Sequence, residues 1–200
     1  EPPQGWLGKI LNKTVKKFTV EILGEDDIPA ILALQEKVVD TIPPDKKHYL
    51  KKRDEDDVLC HMGHRMPVIG IKDECGKLVA QCFLSYPSRG EAVKNIGGYP
   101  LNDHKCTTAI IQSLAVDPDM RGHKLATQTI NAAKEIARMS GHVIVLAKVA
   151  QDNTPSTKSF MNAAFTKASE GLDPVKHYPV NYWQHNLYQG CTASPQCMAK

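Results

Sequence analysis

Apolar side chains recur along this chain with two different periods, and the alternation between them outlines the fold. In "EDDIPAILALQEKVVD" (25–40) they return every three to four residues, which predicts a helix, and the acidic residues at its start suit a helix N-terminus. "KHYLKKRDEDDVLCHMG" (47–63) predicts a second helix whose charge run is a solvated face. "LATQTINAAKEIARM" (125–139) and "STKSFMNAAF" (156–165) predict two more. Short β-branched or aromatic runs predict strands at "FTVEIL" (18–23), "TTAIIQSLAV" (107–116), "HVIVLAKVA" (142–150) and "HYPVNYWQHNLY" (177–188). "MPVIGIKDECGKLVAQCFLSYP" (66–87) is two such runs about an acidic, glycine-bearing turn, a hairpin. The order is β-α-α-β-β-β-α-β-α-β, a mixed α/β chain with helices on both faces of a mixed sheet.

Three segments fall outside this frame. Residues 1–17 carry an amphipathic pattern, with Trp6, Leu7, Ile10, Leu11 and Val15 at helical spacing and Lys9, Lys13, Lys16 and Lys17 between them. This basic stripe is read as packing on its own domain; a membrane surface or a calmodulin-like partner is the alternative. The polar run 88–106 is long for a loop inside a compact domain and is read as functional or mobile. Residues 189–200 show no pattern and are read as an unstructured tail. The predicted domain is therefore 18–188.

Composition narrows the class. With 42% hydrophobic residues in 200, the chain can bury one core. A net charge of +3, spread along the chain, leaves no electrostatic footprint for nucleic acid. No run is long enough to span a membrane and no secretory core is visible, so a cytoplasmic protein is expected. Six cysteines, most in or beside apolar runs, read as reduced thiols in that compartment. Cys60, His61, His64 and Cys75 fit no zinc spacing, and no metal is expected.

The chemistry concentrates at "DPDMRGHKLATQTI" (117–130), a tight turn from a strand into a helix. Such a turn points several backbone N–H groups at one spot, where the helix dipole also favours an anion. Gly122 allows close backbone approach, and Arg121, His123 and Lys124 add positive charge. A diphosphate is the natural occupant; an ordinary turn with solvated cations is the plain alternative.

"LAVDPDMRGHKLA" resembles the CoA-binding core of the GNAT acyltransferase superfamily, whose strand ends in a turn of the form [QR]-x-x-G-x-[GA], here Arg121 to Ala126. The family's N-x-x-A-x-x-L-Y-x-x-x-G-F pattern is similar to Asn153, Ser156, Ser159, Phe160, Ala164 and Phe165. The resemblance spans about 18–188. It implies a splayed sheet in which strands 109–116 and 142–149 part to make a cleft. The backbone of Leu114, Ala115 and Val116 would pair with the pantetheine arm. The turn Arg121, Gly122, His123, Lys124, Leu125, Ala126 and Thr127 would hold the pyrophosphate, and Asn153 would bond the pantetheine or acyl end. Acetyl-CoA would serve as acyl donor and a primary amine, on a small molecule or a peptide, as acceptor. The acceptor would enter near loops 40–50 and 88–106, with Tyr99 and Asp103 as binding residues. The N–H of Leu114 or Ala115 would stabilise the oxyanion. A homodimer is compatible with this layout.

Three positions depart from the family pattern. Phe160 stands where the thiolate-side tyrosine is expected, Lys148 where one branch has a glutamate base, and Lys124 where the turn has glycine. Proton transfer is left to other groups. Ser159 and Tyr178 are the catalytic candidates; Tyr99, Tyr182, Gln112, His104 and His177 are further ones, each with a purely structural alternative. A CoA-binding module without catalysis is the competing function.

Overall fold

The computed structural model describes residues 18–87 and 107–188. The amphipathic segment, the loop 88–106 with Tyr99, Asp103 and His104, and the tail lie outside them. Among the described residues, seven strands form one sheet in the order β1-β2-β3-β4-β5-β7-β6. They are β1 (Phe18–Leu23), β2 (Val68–Asp73), β3 (Leu78–Ser85), β4 (Thr108–Val116), β5 (Ile144–Ala150), β6 (Thr166–Leu172) and β7 (Pro179–Asn186). Of the described residues, four α-helices cover it: α1 (Ile28–Asp40), α2 (Glu55–Gly63), α3 (Leu125–Met139) and α4 (Thr154–Asn162). This is the mixed sheet flanked by helices that the apolar periods predict, with one strand more. Only β4 and β5 run parallel; the other neighbours are antiparallel.

Each face of the sheet has its own core. Ile130, Ala133, Ile136 and Ala137 of α3 and Phe160 of α4 pack on Ile69, Leu84, Ile111, Val145, Ala147 and Val149. On the other face Ile31, Leu34 and Val38 of α1 and Val58 of α2 pack on Val68, Phe83 and Ala115. At roughly 1.5–3 kcal/mol for each large apolar side chain withdrawn from water, these two layers hold the sheet between its helices. Among the described residues, no helix is long and apolar enough to cross a membrane.

Two elements differ from the sequence reading. The helix expected over 47–63 begins only at Glu55, because the Asp54 carboxylate accepts from the Asp57 N–H at 2.8 Å and caps it there. Residues 44–49 form a separate 3-10 turn, and Leu50 is extended. Strand β6 has no counterpart in the predicted order. All seven of its residues are exposed, so no apolar alternation marks it; its pairing with β7 is made by backbone alone.

Candidate active site

The sheet opens in its middle. Strands β4 and β5 pair only from Thr108 with Ile144 to Ile111 with Ala147. Beyond that, Gln112–Val116 stays on β3 and Lys148–Ala150 stays on β7, leaving two backbone edges facing a gap. A bulge in β4 lies at this point. Gln81 pairs with Ala115 and Phe83 with Gln112, so Ser113 and Leu114 together oppose Cys82. Ser113 carries the strain of the bulge at φ 48°. A bulge bends its strand and increases the local twist, which is the physical cause of the split. The resemblance led to this parting of strands, and the sheet has it.

The end of β4 feeds the turn. Asp117 is fully buried, with Lys37 Nζ 2.6 Å from one carboxylate oxygen and Lys77 Nζ 2.9 Å from the other. Burial alone would raise its pKa, but the two ammonium groups and the Asp119 N–H outweigh that and bring it down to about 2. This anchor fixes where the chain leaves the sheet. A 3-10 turn over Pro118–Met120 follows, and then Gly122 at φ 87° and Lys124 at φ 59° reverse the chain into α3. Among the described residues, no backbone N–H from Gly122 to Thr127 meets an acceptor. The first that does is Gln128, whose N–H donates to the Lys124 carbonyl at 3.0 Å. Six consecutive donors with alternating left-handed residues form a concave anion-binding surface at the positive end of a 15-residue helix.

The side chains of this turn divide into anchors and free charges. Leu125 is buried under β1 and β3, and Ala126 and Thr127 are half-buried on the first turn of α3. The Arg121 guanidinium donates to Thr41 Oγ1 at 3.3 Å, and His123 Nδ1 lies 3.2 Å from the Met120 carbonyl. Lys124 is exposed. It occupies the left-handed conformation that glycine would adopt freely, at a cost of about 1–2 kcal/mol.

The far side of the gap belongs to β5 and β7. Lys148, the first residue of β5 past the paired region, bonds Asp173 through Nζ to Oδ2 at 2.7 Å. The other oxygen of Asp173 accepts from the N–H groups of Val175 and Lys176 at 3.0 and 2.8 Å. Burial opposes ionisation of Asp173, yet Lys148 and those two N–H groups hold its pKa down to about 2. Tyr178 is half-buried, and desolvation together with the adjacent Asp173 carboxylate pushes its hydroxyl up to about 12. The Tyr178 ring packs on His48 with centroids 4.1 Å apart, so the 3-10 turn over Pro44–Tyr49 reaches across to the β6–β7 connection.

On α4 the sequence candidates separate. Asn153 caps the helix, its Oδ1 accepting from the Ser156 N–H at 3.3 Å, which leaves its amide nitrogen for a ligand. Ser159 Oγ donates to the Pro155 carbonyl at 2.9 Å. Phe160 is buried against Phe165, ring centroids 5.1 Å apart. Tyr182 is a buried β7 residue, and His177 sits exposed in the turn that Asp173 organises.

Two residues that sequence reasoning missed stand at the centre. Asp173 lies in a stretch the apolar periods left unassigned. Arg53 hides in the charge run "KKRDEDD", yet it is only 8% exposed. Its Nη2 donates to Gln112 Oε1 at 2.7 Å, its Nε to Ser113 Oγ at 3.3 Å, and its guanidinium lies over the Phe83 ring at 4.4 Å. Its position immediately before the helix cap Asp54 is the one signal that sets it apart. Among the described residues, no group of three His, Cys, Asp or Glu side chains could hold a metal.

The acetyltransferase (GNAT) family model matches residues 34–165, and the chain belongs to that family. No curated protein sequence matches it. Solved structures do. An N-acetyltransferase from Staphylococcus aureus is 16% identical, with 85% of this chain and 98% of that one covered at a TM-score of 0.63. A GNAT superfamily phosphinothricin acetyltransferase from Sinorhizobium meliloti, in complex with acetyl-CoA, is 14% identical (89% and 92% covered, TM-score 0.64). A ribosomal-protein-alanine N-acetyltransferase from Brucella melitensis is 16% identical (84% and 98% covered, TM-score 0.63). At these identities the likeness is one of fold.

Proposed function

We propose that this GNAT-family chain is an acetyl-CoA-dependent N-acetyltransferase that moves the acetyl group to a primary amine of a small molecule, peptide or protein. The observation that carries the reading is the run of six N–H groups from Gly122 to Thr127, unpartnered among the described residues, at the end of a split strand. They suit a diphosphate, and Arg121, His123 and Lys124 supply positive charge around it. The open edge of β4 at Leu114, Ala115 and Val116 suits an extended amide-bearing arm, which the Asn153 amide nitrogen would also bond. Bound there, acetyl-CoA supplies an activated thioester. The Leu114 N–H then meets the charge that grows on the thioester oxygen.

The protons need no strong protein base in this reading. Ser159 already gives its proton to a carbonyl, and Asp173 is too acidic and too fully bonded to accept one. The amine binds neutral, attacks the thioester carbonyl and loses its proton to water; the C–S bond breaks and the CoA sulfur leaves as a thiolate, with the Tyr178 hydroxyl as the candidate proton donor to it. As the family resemblance implies, the acceptor would enter near loops 40–50 and 88–106, with Tyr99 and Asp103 as binding residues. A cytoplasmic setting fits the free thiols of Cys60, Cys75 and Cys82. A homodimer, should one form, has the exposed edge strand β6 available.

The test is calorimetry with CoA, followed by mass spectrometry of a panel of primary amines incubated with acetyl-CoA. Binding and acetylated product support the reading; no binding at saturating CoA overturns it. A second reading, a CoA-binding module without catalysis, is favoured by Phe160 in the core and by Lys148 neutralised on Asp173. Binding without turnover on any amine selects it.

A further inference from the structure

Arg53 is a buried cation with no carboxylate in contact among the described residues. It enters no ion pair among the described residues, and Asp57 attracts it only through space. Burying a charge unpaired is costly, so its surroundings must use it. Those surroundings are the bulge. Nη2 holds Gln112, the last regular residue before the bulge, and Nε holds Ser113, which has the positive φ. Ser113 Oγ lies 3.3 Å from the Lys51 carbonyl, and Ser85 Oγ lies 3.1 Å from Gln112 Oε1. The Arg53 backbone N–H is fixed by Gln35 Oε1 at 2.9 Å, and the Phe83 ring lies beneath the guanidinium. Through its guanidinium and its backbone N–H, Arg53 thus ties three elements, α1, the extended run before α2 and β3, to the point where β4 leaves its regular path.

We propose that Arg53 is a positioning residue for acyl transfer: its guanidinium holds the β4 bulge in the geometry that turns the Leu114 N–H toward the thioester oxygen. This rests on the reading of the chain as an acetyl-CoA-dependent transferase. A side chain that merely filled space at this point could be apolar, whereas two directed N–H donors to the side chains of consecutive residues fix where both point, and through them hold the bulged segment that carries them. The residue comes from the acceptor side of the sheet, so the same contact links the segment 44–54 to the donor site.

The experiment separates the carbonyl from the rest of the ligand. Dissociation constants are measured for CoA and for the carba analogue of acetyl-CoA, in which a methylene replaces sulfur and the ketone keeps the acetyl carbonyl. Wild type is compared with Arg53→Met, which keeps the stem and loses the fork. The expected result is unchanged CoA affinity and a loss of about tenfold for the carba analogue, the worth of one well-aimed hydrogen bond. Methylguanidinium added to Arg53→Ala should recover part of that loss. Equal affinities in both proteins overturn the proposal, and so does an equal loss for both ligands, which marks a purely structural role. If Arg53→Met does not melt cooperatively, Arg53→Lys, which keeps the charge without the fork, gives the same comparison. A wild type that binds neither ligand defeats the transferase reading itself, and this inference falls with it.

Discussion

Lys148 Nζ lies 2.7 Å from Asp173 Oδ2, so the lysine at the mouth of the split sheet is neutralised by a carboxylate 25 positions away. The pair is largely shielded from solvent, with side chains 21% and 7% exposed. Removing one partner leaves a charge with little solvent to screen it. Lys148→Met should cost about 2 kcal/mol, below the value for a fully buried pair because the lysine keeps some solvent. The exchange Lys148→Glu with Asp173→Lys should recover only part of the stability, because a lysine at 173 cannot accept the Val175 and Lys176 N–H groups. It also puts a carboxylate on β5 where one branch of the family has a glutamate, and turnover above wild type would show that this position can serve as a base. Thermal melts and initial rates of the three proteins decide it.

Acid should weaken the fold in two stages. His61 is buried, and desolvation together with the nearby Arg53 charge holds its pKa down to about 3. It is neutral in the folded chain and protonates near 6.5 once unfolded. The stability it contributes is complete above pH 6.5 and declines as pH falls toward 3, by about 2 kcal/mol at pH 5. Asp117 and Asp173, lowered from 3.8 to about 2, add a second loss as pH falls from about 4 to 2. Melting temperatures across pH 3–8 should show both limbs, and His61→Phe should remove the upper one.

Lys124→Gly should stabilise the chain by about 0.5–1 kcal/mol. Glycine relieves the left-handed strain, and its extra freedom in the unfolded state offsets only part of that gain. The turn keeps its N–H groups, so CoA affinity should fall only two- to threefold, through the lost charge. The salt dependence of binding should fall with it. A loss of more than tenfold would mean that the Lys124 ammonium, rather than the backbone, carries the anion.

On α4, Ser159→Ala should leave turnover unchanged, because that hydroxyl is already bonded within the helix. Phe160→Tyr should lower stability by about 1–3 kcal/mol, since a hydroxyl enters a packed layer against Phe165. Retained stability together with a higher kcat would instead mean that the ring edge reaches the cleft.

What could be read from the sequence follows from what repeats. α3 announces itself because Leu125, Thr129, Ile130, Ala133, Ile136 and Ala137 are buried at helical spacing, and the turn before it because glycine and cations interrupt two strong periods. β6 was invisible because an exposed edge strand buries no side chain and leaves no period. Arg53 and Asp173 were invisible for another reason. Each gains its meaning from partners 59–60 and 25 positions away, and a charge run looks the same whether or not one member turns inward.

The parted strands also bear on how the molecule holds together. Among the described residues β4 and β5 share no pairing beyond Ile111 and Ala147, so the ladder between them is incomplete by the length of one short extended segment. A ligand that lies along them becomes, in effect, an eighth strand supplied from outside. Those amide hydrogens of Gln112–Val116 and Lys148–Ala150 that face the gap should then exchange far more slowly with CoA present. Occupancy should raise the melting point by mass action, by about 2.7 kcal/mol at a hundredfold excess over the dissociation constant. The cellular lifetime of the chain would rise and fall with the supply of its donor.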